Sequence, residues 1–264
     1  MYNGAIHIHS RYSDGDLSLA ELRDAYAAAG CAFVCMTDHA EFLDEDGRRR
    51  YVSECAALSD ERFRFIPGLE FRCPDKLHIL GLGVVSALSR DDPRAVIAHI
   101  ERSGGVSIIA HPREQAFAAI EVFDLLPHGV ETWNTKYDGR YAPRLGPFDL
   151  LGRLQQRRPD MRAFYGQDYH WRRQFRGLFL EVAAERNERA DILAALRRGD
   201  YVGRSGDLRL PSHGRLTLAE RQRFQVGHRR SDFIRRLGRR GKNLADRLGV
   251  PVPEPFKARL RGIF

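Results

Sequence analysis

Cysteine is scarce in this sequence, and its spacing excludes two kinds of site. The four cysteines among 264 residues are Cys31, Cys35, Cys55 and Cys73. They lack the paired spacing of a zinc ribbon, and they are too few to cross-link a chain of this size. We therefore expect reduced, mostly buried thiols that pack as small apolar side chains.

Long apolar runs are missing as well. No stretch of about 18 apolar residues occurs, and the N-terminal segment does not combine basic residues with an apolar core, so neither membrane spanning nor secretion is indicated. Hydrophobic residues make up 43% of the chain, which is enough for one large core. The expected location is the cytoplasm.

Histidine and acidic residues, by contrast, recur beside apolar runs. His7 and His9 stand at i and i+2, a spacing that turns both imidazoles to one side of an extended strand. Asp168 and His170 repeat this spacing after another apolar run. Six of the ten histidines lie at such positions, which scattered structural histidines would not explain. The six are His7, His9, His39, His78, His111 and His170.

Five short motifs surround these residues. They are His7-Ile8-His9 with Asp14-Gly15, Thr37-Asp38-His39, Gly68-Leu69-Glu70 with His78-Ile79-Leu80-Gly81, Ala110-His111-Pro112, and Asp168-Tyr169-His170. Together they resemble the motifs of the PHP (polymerase and histidinol phosphatase) superfamily of metal-dependent phosphoesterases. The resemblance extends over roughly the first four fifths of the chain and includes every ligand position of the family's trinuclear site.

The resemblance implies a ligand set and a fold. One metal would be held by His7, His9, Glu70 and Asp168, a second by Glu70, His78 and His111, and a third by Asp14, His39 and His170. Within this set, catalysis is assigned to Glu70, His111, Asp168 and His170. The implied fold is a distorted, TIM-like (βα)7 barrel.

The donor chemistry is sensible independently of the family. Imidazole and carboxylate ligands without thiolates suit zinc, manganese or iron, and we expect two or three such divalent ions. Neighbouring cations lower the pKa of a bridging water and neutralise charge on phosphate oxygens. Asp38 is interpreted as a carboxylate that fixes a ligating imidazole, because such rings usually donate their other N–H to a carboxylate or carbonyl.

These motifs favour hydrolysis of a phosphomonoester or a small phosphorylated metabolite. The enzymatic alternative is a nuclease or nucleotide phosphatase. The non-enzymatic alternative is a metal-stabilised binding module of the PHP type, although a purely structural role would not require so many polar groups to converge on one pocket.

Strand-like and helix-like segments alternate along residues 1–200 and predict an α/β fold. Helices are predicted over residues 18–26, 92–103, 113–126, 145–158 and 187–198, the first with a capping box from Ser18 to Glu21. The βαβα order predicts a parallel sheet, and ligands that follow several strands favour a barrel over an open sheet.

Four basic residues near the motifs are candidates for substrate binding. Lys136 and Arg140 follow a predicted strand, while Arg113 and Arg172 each come two residues after a candidate ligand. In a barrel of this type the loops that follow the strands form the catalytic face, so we expect these basic side chains to lie there and contact phosphate oxygens. A solvated basic loop is the competing interpretation.

Composition changes near residue 213, which we take as a domain boundary between 1–213 and 214–264. The last segment contains fourteen Lys/Arg and four Asp/Glu, a net charge of +10, whereas residues 1–213 carry −2. Apolar residues recur there at roughly helical spacing, at Phe233, Ile234, Leu237, Leu244 and Leu248. This pattern predicts a basic amphipathic helix.

Such a helix has three possible partners: an anionic membrane surface, a nucleic-acid backbone or an acidic partner. The competing interpretation is a helix that packs its apolar side on the barrel. We rank nucleic acid below a membrane surface and below packing on the barrel, because the segment has no interleaved aromatic platforms for stacking bases.

Overall fold

Strands and helices alternate along most of the chain, as the sequence pattern predicts. The computed structural model describes residues 1–88, 92–139 and 142–247. The strands are β1 (Tyr2–Ile8), β2 (Phe33–Met36), β3 (Asp38–His39), β4 (Arg64–Ile66), β5 (Leu69–Arg72), β6 (His78–Leu82), β7 (Val106–Ala110), β8 (Gly129–Asn134), β9 (Arg162–Gly166), β10 (Leu178–Val182), β11 (Tyr201–Ser205) and β12 (Leu208–Pro211). The α-helices are α1 (Leu19–Ala28), α2 (Glu45–Ala57), α3 (Pro93–Arg102), α4 (Glu114–Glu121), α5 (Thr135–Asp138), α6 (Gly146–Leu154), α7 (Arg189–Arg198) and α8 (Leu218–Arg247).

All five predicted helices are present, with α4 and α6 ending several residues earlier than predicted. The capping box of α1 is formed: Glu21 N–H donates to Ser18 Oγ, and Ser18 N–H donates to a carboxylate oxygen of Glu21. Helix α2 was not predicted. Its signal is Asp44, whose side chain accepts a hydrogen bond from the N–H of Gly47 and caps the helix.

The sheets are mixed, so the predicted all-parallel arrangement is wrong. One six-stranded sheet has the order β12-β11-β10-β1-β2-β4, and the other has the order β3-β5-β6-β7-β8-β9. The parallel pairs of the first sheet are β1 with β2 and β2 with β4. Those of the second sheet are β3 with β5, β7 with β8 and β8 with β9. The remaining pairs, including the run β10 to β12, are antiparallel.

The antiparallel direction of β6 follows from its short connection. The chain turns from β5 into β6 through Pro74–Lys76, which is too short for the crossover that parallel strands need. Strand β6 also pairs antiparallel with β7, with His78 opposite Ala110. The start of β6 therefore lies beside the end of β7, which explains why a candidate ligand precedes its apolar run.

The apolar run over residues 63–70 forms two strands rather than one. Strand β4 ends at Ile66 and β5 begins at Leu69, after Pro67 and Gly68. Gly68 packs so closely on the backbone of Met36 and Gly81 that a Cβ atom would overlap their carbonyl oxygens. This close approach brings Glu70 onto the second sheet, next to β3.

Backbone hydrogen bonds connect the two sheets beside β1. The N–H of His9 donates to the carbonyl of Tyr169, and the N–H of Tyr169 donates to the carbonyl of His7. The ends of β1 and β9 are thereby brought together. The fold is α/β with mixed sheets, and a closed seven-stranded barrel is not confirmed.

Helix α8 contacts the rest of the molecule through its first turns. Phe224 is 1% exposed and its ring lies 6.5 Å from that of Phe148 on α6. Arg221 of α8 forms an ion pair with Asp149 of α6 at 2.7 Å. Among the described residues, no helix is long and apolar enough to cross a membrane.

Two phenylalanines of α8 should differ sharply in their effect on stability. Phe224→Ala should lower the free energy of unfolding by about 3 kcal/mol, because it removes a buried ring. Phe233→Ala, at a side chain that is 63% exposed, should change it by less than about 0.5 kcal/mol. Urea denaturation of both variants measures the difference, and equal values would contradict the docking of α8 through Phe224.

Candidate metal centre

The nine candidate ligands converge on one region at the strand ends. His7 and His9 come from the end of β1, His39 from β3, Glu70 from β5, His78 from the start of β6 and His111 from the residue after β7. Asp168 and His170 follow β9, and Asp14 lies in the loop before α1. The chain therefore brings together side chains from seven separate segments.

Glu70 is the common neighbour of five imidazoles. Its carboxylate is 1% exposed and lies 2.7 Å from Nδ1 of His78 and 3.2 Å from Nε2 of His111. The ring nitrogens of His7, His9 and His39 approach it at 3.4, 3.2 and 3.5 Å. Both carboxylate oxygens take part, with Oε1 facing His78 and His111 and Oε2 facing the other three.

Asp168 and Asp14 occupy the other side of the cluster. Oδ1 of Asp168 lies 3.1 Å from Nδ1 of His170 and 3.7 Å from Nε2 of His7. Asp14, at the rim, lies 3.1 Å from Nε2 of His170 and 3.7 Å from Nε2 of His39. His170 thus stands between a buried and a half-exposed carboxylate.

The donor atoms are close enough to share cations. Three groups each place one donor atom per residue within 4.8 Å of the others: His9 with Asp14, His39 and His170; His7 with His9 and Asp168; and His7 with Glu70 and His111. Both ring nitrogens of His9 and Nδ1 of His39 are buried and make no hydrogen bond to a described residue. Buried imidazole nitrogens without a hydrogen-bond partner, close to carboxylate oxygens and with no thiolate nearby, are suitable ligands for divalent metal ions.

Backbone strain is concentrated at this cluster. Among the described residues, five other than glycine have positive φ, and three of them are candidate ligands: His7 at 63°, His111 at 29° and Asp168 at 49°. The pairing of β1 with β2 also shifts register between Ile6 and Ile8. His7 is therefore not a simple extended residue, and its orientation toward the cluster comes from this irregularity as well as from the i, i+2 spacing.

The carboxylates control protonation of the imidazoles. Burial acts to lower the pKa of His170, but Asp14 and Asp168 raise it to about 9. Burial also acts to lower the pKa of His7, but the nearby carboxylates of Glu131, Asp168 and Glu70 outweigh this effect. The pKa of His7 therefore lies well above its ordinary value. His9 differs, because burial dominates and lowers its pKa to about 3.

The carboxyl groups shift in the opposite direction. Burial acts to raise the pKa of Glu70, but the adjacent imidazoles, His7 first among them, hold it well below its ordinary value. The pKa of Asp14 falls to about 2, since the hydrogen bond with His170 outweighs burial. Without bound metal, the ionised carboxylates of the cluster therefore lie beside protonated rings at His7 and His170, while His9 is neutral.

Glu131 is a buried carboxylate that the sequence analysis did not single out. It accepts a hydrogen bond from Nδ1 of His7 at 2.8 Å, from the backbone N–H of His111 at 2.7 Å and from Nδ2 of Asn134 at 2.8 Å. Gly166 on β9 makes room for it, because a Cβ there would overlap the carboxylate. Glu131 thus fixes the ring of His7 and the backbone of His111, the role that had been expected of Asp38.

Asp38 supports a loop instead of an imidazole. Its buried carboxylate accepts hydrogen bonds from the N–H and Oγ of Ser10 and from Oγ of Ser13, at 2.7 to 3.0 Å. These contacts differ from the expected contact with a ligating ring. Asp38 therefore holds Ser10 and Ser13, in the loop that carries Asp14.

The four basic candidates lie in different surroundings. Nζ of Lys136 donates to Oδ1 of Asp168 at 3.0 Å and lies 3.3 Å from both ring nitrogens of His170. Arg113 lies over the ring of Tyr137 at 5.3 Å. Arg172 is exposed and pairs with Glu21, away from the cluster. Arg140 falls outside the described residues.

A cavity of about 470 Å³ opens beside His111. Arg113, Tyr137 and Arg144 line it, together with Glu131 and Asn134 from the cluster. The ring of Tyr137 lies 4.9 Å from that of His111. Arg144 was not predicted; it pairs with Asp138 at 2.9 Å and donates to the carbonyl of Tyr137. The lining also contains the carboxylates of Glu114 and Asp138, so the cavity offers arginine, aromatic and acidic side chains next to the candidate ligands.

No protein-family model matches the chain, and no curated protein matches it. Solved structures do match. A two-domain protein from Bacteroides vulgatus ATCC 8482, described as containing a predicted PHP-like metal-dependent phosphoesterase, aligns with a TM-score of 0.60 at 15% identity over 85% of this chain and 69% of that chain. PsfC from Pseudomonas syringae PB-5123 aligns with a TM-score of 0.54 at 14% identity over 85% and 95%. The resemblance expected from the motifs is thus confirmed as a shared fold.

Glu131→Gln should weaken metal binding by about 10- to 100-fold, because the amide removes the charge that orients His7 and places an NH₂ group among N–H donors. Chelator competition, with metal content measured on the purified protein, checks this. Glu61→Gln is the matched control, since Glu61 is exposed and should leave affinity unchanged. Equal affinities of the two variants would contradict the role assigned to Glu131.

Proposed function

We propose that this chain is a metal-dependent phosphoric ester hydrolase that acts on a phosphomonoester or a small phosphorylated metabolite. The observation that carries the proposal is that seven imidazole and carboxylate side chains surround the buried carboxylates of Glu70 and Asp168. The fold shared with a PHP-like protein supports it. The proposed catalytic unit is residues 1–213, with 214–264 as an extension.

The proposed ligand assignment is the one that the resemblance to the PHP superfamily implies, and the short distances around Glu70 and Asp168 support it. His7, His9, Glu70 and Asp168 would hold one cation; Glu70, His78 and His111 a second; and Asp14, His39 and His170 a third. His9 also lies close to the third group, so it would stand between two cations. When bound, such ions supply a water of lowered pKa and positive charge for the phosphate oxygens.

The chain's own cations would complete the charge balance around the phosphate. Burial acts to lower the pKa of Lys136, but Asp168 raises it, so the ammonium stays protonated at neutral pH. Lys136 would contact one phosphate oxygen from the side of His170, and Arg113 would contact the ester from the cavity beside His111. Glu131 and Asn134 would keep His7, His111 and Asp168 in place during turnover.

A nucleotide phosphatase or nuclease is the second candidate, and aromatic rings at the rim favour it. Phe42 lies 5.9 Å from His39, Trp171 lies 5.7 Å from His170, and both side chains are exposed. Exposed rings next to a phosphate site are suited to stacking a base. A comparison of p-nitrophenyl phosphate with nucleoside monophosphates and short oligonucleotides distinguishes the two activities.

Purified protein supplied with zinc, manganese or iron should hydrolyse p-nitrophenyl phosphate, and a chelator should stop the reaction. Glu70→Ala and Asp168→Ala should reduce turnover to background and lower metal content, because each removes a carboxylate that several ligands share. His213→Ala, at an exposed histidine outside the cluster, is the control and should retain full activity.

Two results would overturn the assignment. Turnover by the Glu70→Ala variant at the wild-type rate would remove the metal centre from catalysis. Metal binding without hydrolysis of any monoester, diester or nucleotide would leave the non-enzymatic binding module as the function.

Metal binding at pH 7.5 should release protons. The pKa of His170 is raised to about 9, so this ring is protonated in the metal-free protein, whereas a ligating imidazole must be neutral. Apparent affinity should therefore rise with pH until about pH 9 and fall as pH decreases. Titration calorimetry in buffers of different ionisation enthalpy counts the protons, and a buffer-independent enthalpy would contradict the protonated state of the cluster.

A further inference from the structure

The first turns of helix α8 pack on the rest of the protein, whereas the described side chains of its later turns are not buried. Near its start, Phe224 is buried against α6 and Gly227 approaches Ala142 so closely that a Cβ there would contact it at 3.0 Å. Farther along, the described side chains that follow His228 are exposed or only partly buried. The later turns therefore present their described side chains to the surroundings of the molecule.

Three large apolar side chains form an exposed stripe on this helix. Val226, Phe233 and Leu237 are 52%, 63% and 51% exposed. Their separations of seven and four residues place them on one face, within about 40° of each other around the helix axis. Phe224 points from the opposite side. The stripe is thus distinct from the surface that docks α8 on the fold, and we call it the apolar stripe of α8.

Positive charge borders the apolar stripe on both sides. Helical geometry puts Arg229, Arg236 and Arg240 along one edge and Arg230 along the other, and all four are exposed. Helix α8 contains ten Lys/Arg and three Asp/Glu, a net charge of +7. Apolar side chains flanked by arginines are characteristic of a helix that lies in a lipid–water interface, because arginine stems can cover apolar surface while their charges reach the headgroups.

We propose that the apolar stripe of α8 docks on the surface of an anionic lipid bilayer, parallel to the membrane plane. Charge complementarity favours this partner over a second copy of the chain, since two such helices would place like charges against each other. Nucleic acid would match the charge but would leave the three apolar side chains exposed. A bilayer satisfies both features, and no part of the described chain needs to cross it.

Vesicle co-sedimentation with the full chain tests the proposal. The wild-type protein should bind phosphatidylcholine vesicles that contain phosphatidylserine and not vesicles of phosphatidylcholine alone. Phe233→Ser with Leu237→Ser should weaken binding about tenfold or more, because the inserted side chains are lost. Arg229→Glu, Arg236→Glu and Arg240→Glu combined should weaken it by roughly a hundredfold or more, because each cation near an anionic surface contributes to attraction.

A matched control uses polar residues of the same helix. Gln225→Ser with Asn243→Ser changes two exposed side chains that lie about 100° around the helix from the stripe, and it should leave vesicle binding unchanged. Circular dichroism of all variants checks that α8 remains helical.

Three outcomes would overturn the proposal. Loss of binding on charge reversal alone, with the serine pair equal to wild type, would show adsorption of a polycation without insertion. A dimer in sedimentation that the serine pair converts to a monomer would assign the stripe to a second copy. Tighter binding to oligonucleotides than to anionic vesicles, insensitive to the serine pair, would assign the helix to nucleic acid.

Discussion

The buried carboxylate of Glu70 imposes the main constraint on this structure. A desolvated negative charge is costly unless cations or hydrogen-bond donors surround it. Its compensation comes from five imidazoles on β1, β3, β6 and β7 or just after them, so these strands must end at one place. The bend at Pro67 and Gly68, the reversed direction of β6 and the irregularity at His7 all serve that convergence.

The sequence predicted the donors better than the sheets. Imidazoles and carboxylates beside apolar runs are visible locally, as are the Ser18 capping box and the helical periods. Strand direction is not local: β6 reads like any apolar run, and its antiparallel pairing depends on the short turn at Pro74–Lys76. For the same reason, the residue type of His78 predicts a donor, whereas its position before the apolar run is understood only from the antiparallel pairing of β6 with β7.

Glu131 illustrates a second limit. It lies in β8 among apolar neighbours and carries no motif of its own, and its contacts with His7 and His111 depend on the space beside Gly166, far along the chain. A glycine on β9 that leaves space for a charged side chain from β8 is meaningful only when the pairing of the two strands is known. Helix α8 shows a related effect. The spacing of its apolar residues is visible in the sequence, but packing against α6 decides that Phe224, and not Phe233, is the buried ring.

The position of β1 has a consequence for how the chain folds during synthesis. This first strand pairs with β2 on one side and with β10 on the other, and its end bonds to Tyr169. A ribosome-bound chain that stops before residue 160 has seven of the nine donors but neither Asp168 nor His170. Domains generally form from the N-terminus during translation, and long-range pairing is slow. Strand β1 therefore obtains its full set of neighbours only after β10 has been made, and the donor cluster is complete only after the synthesis of His170.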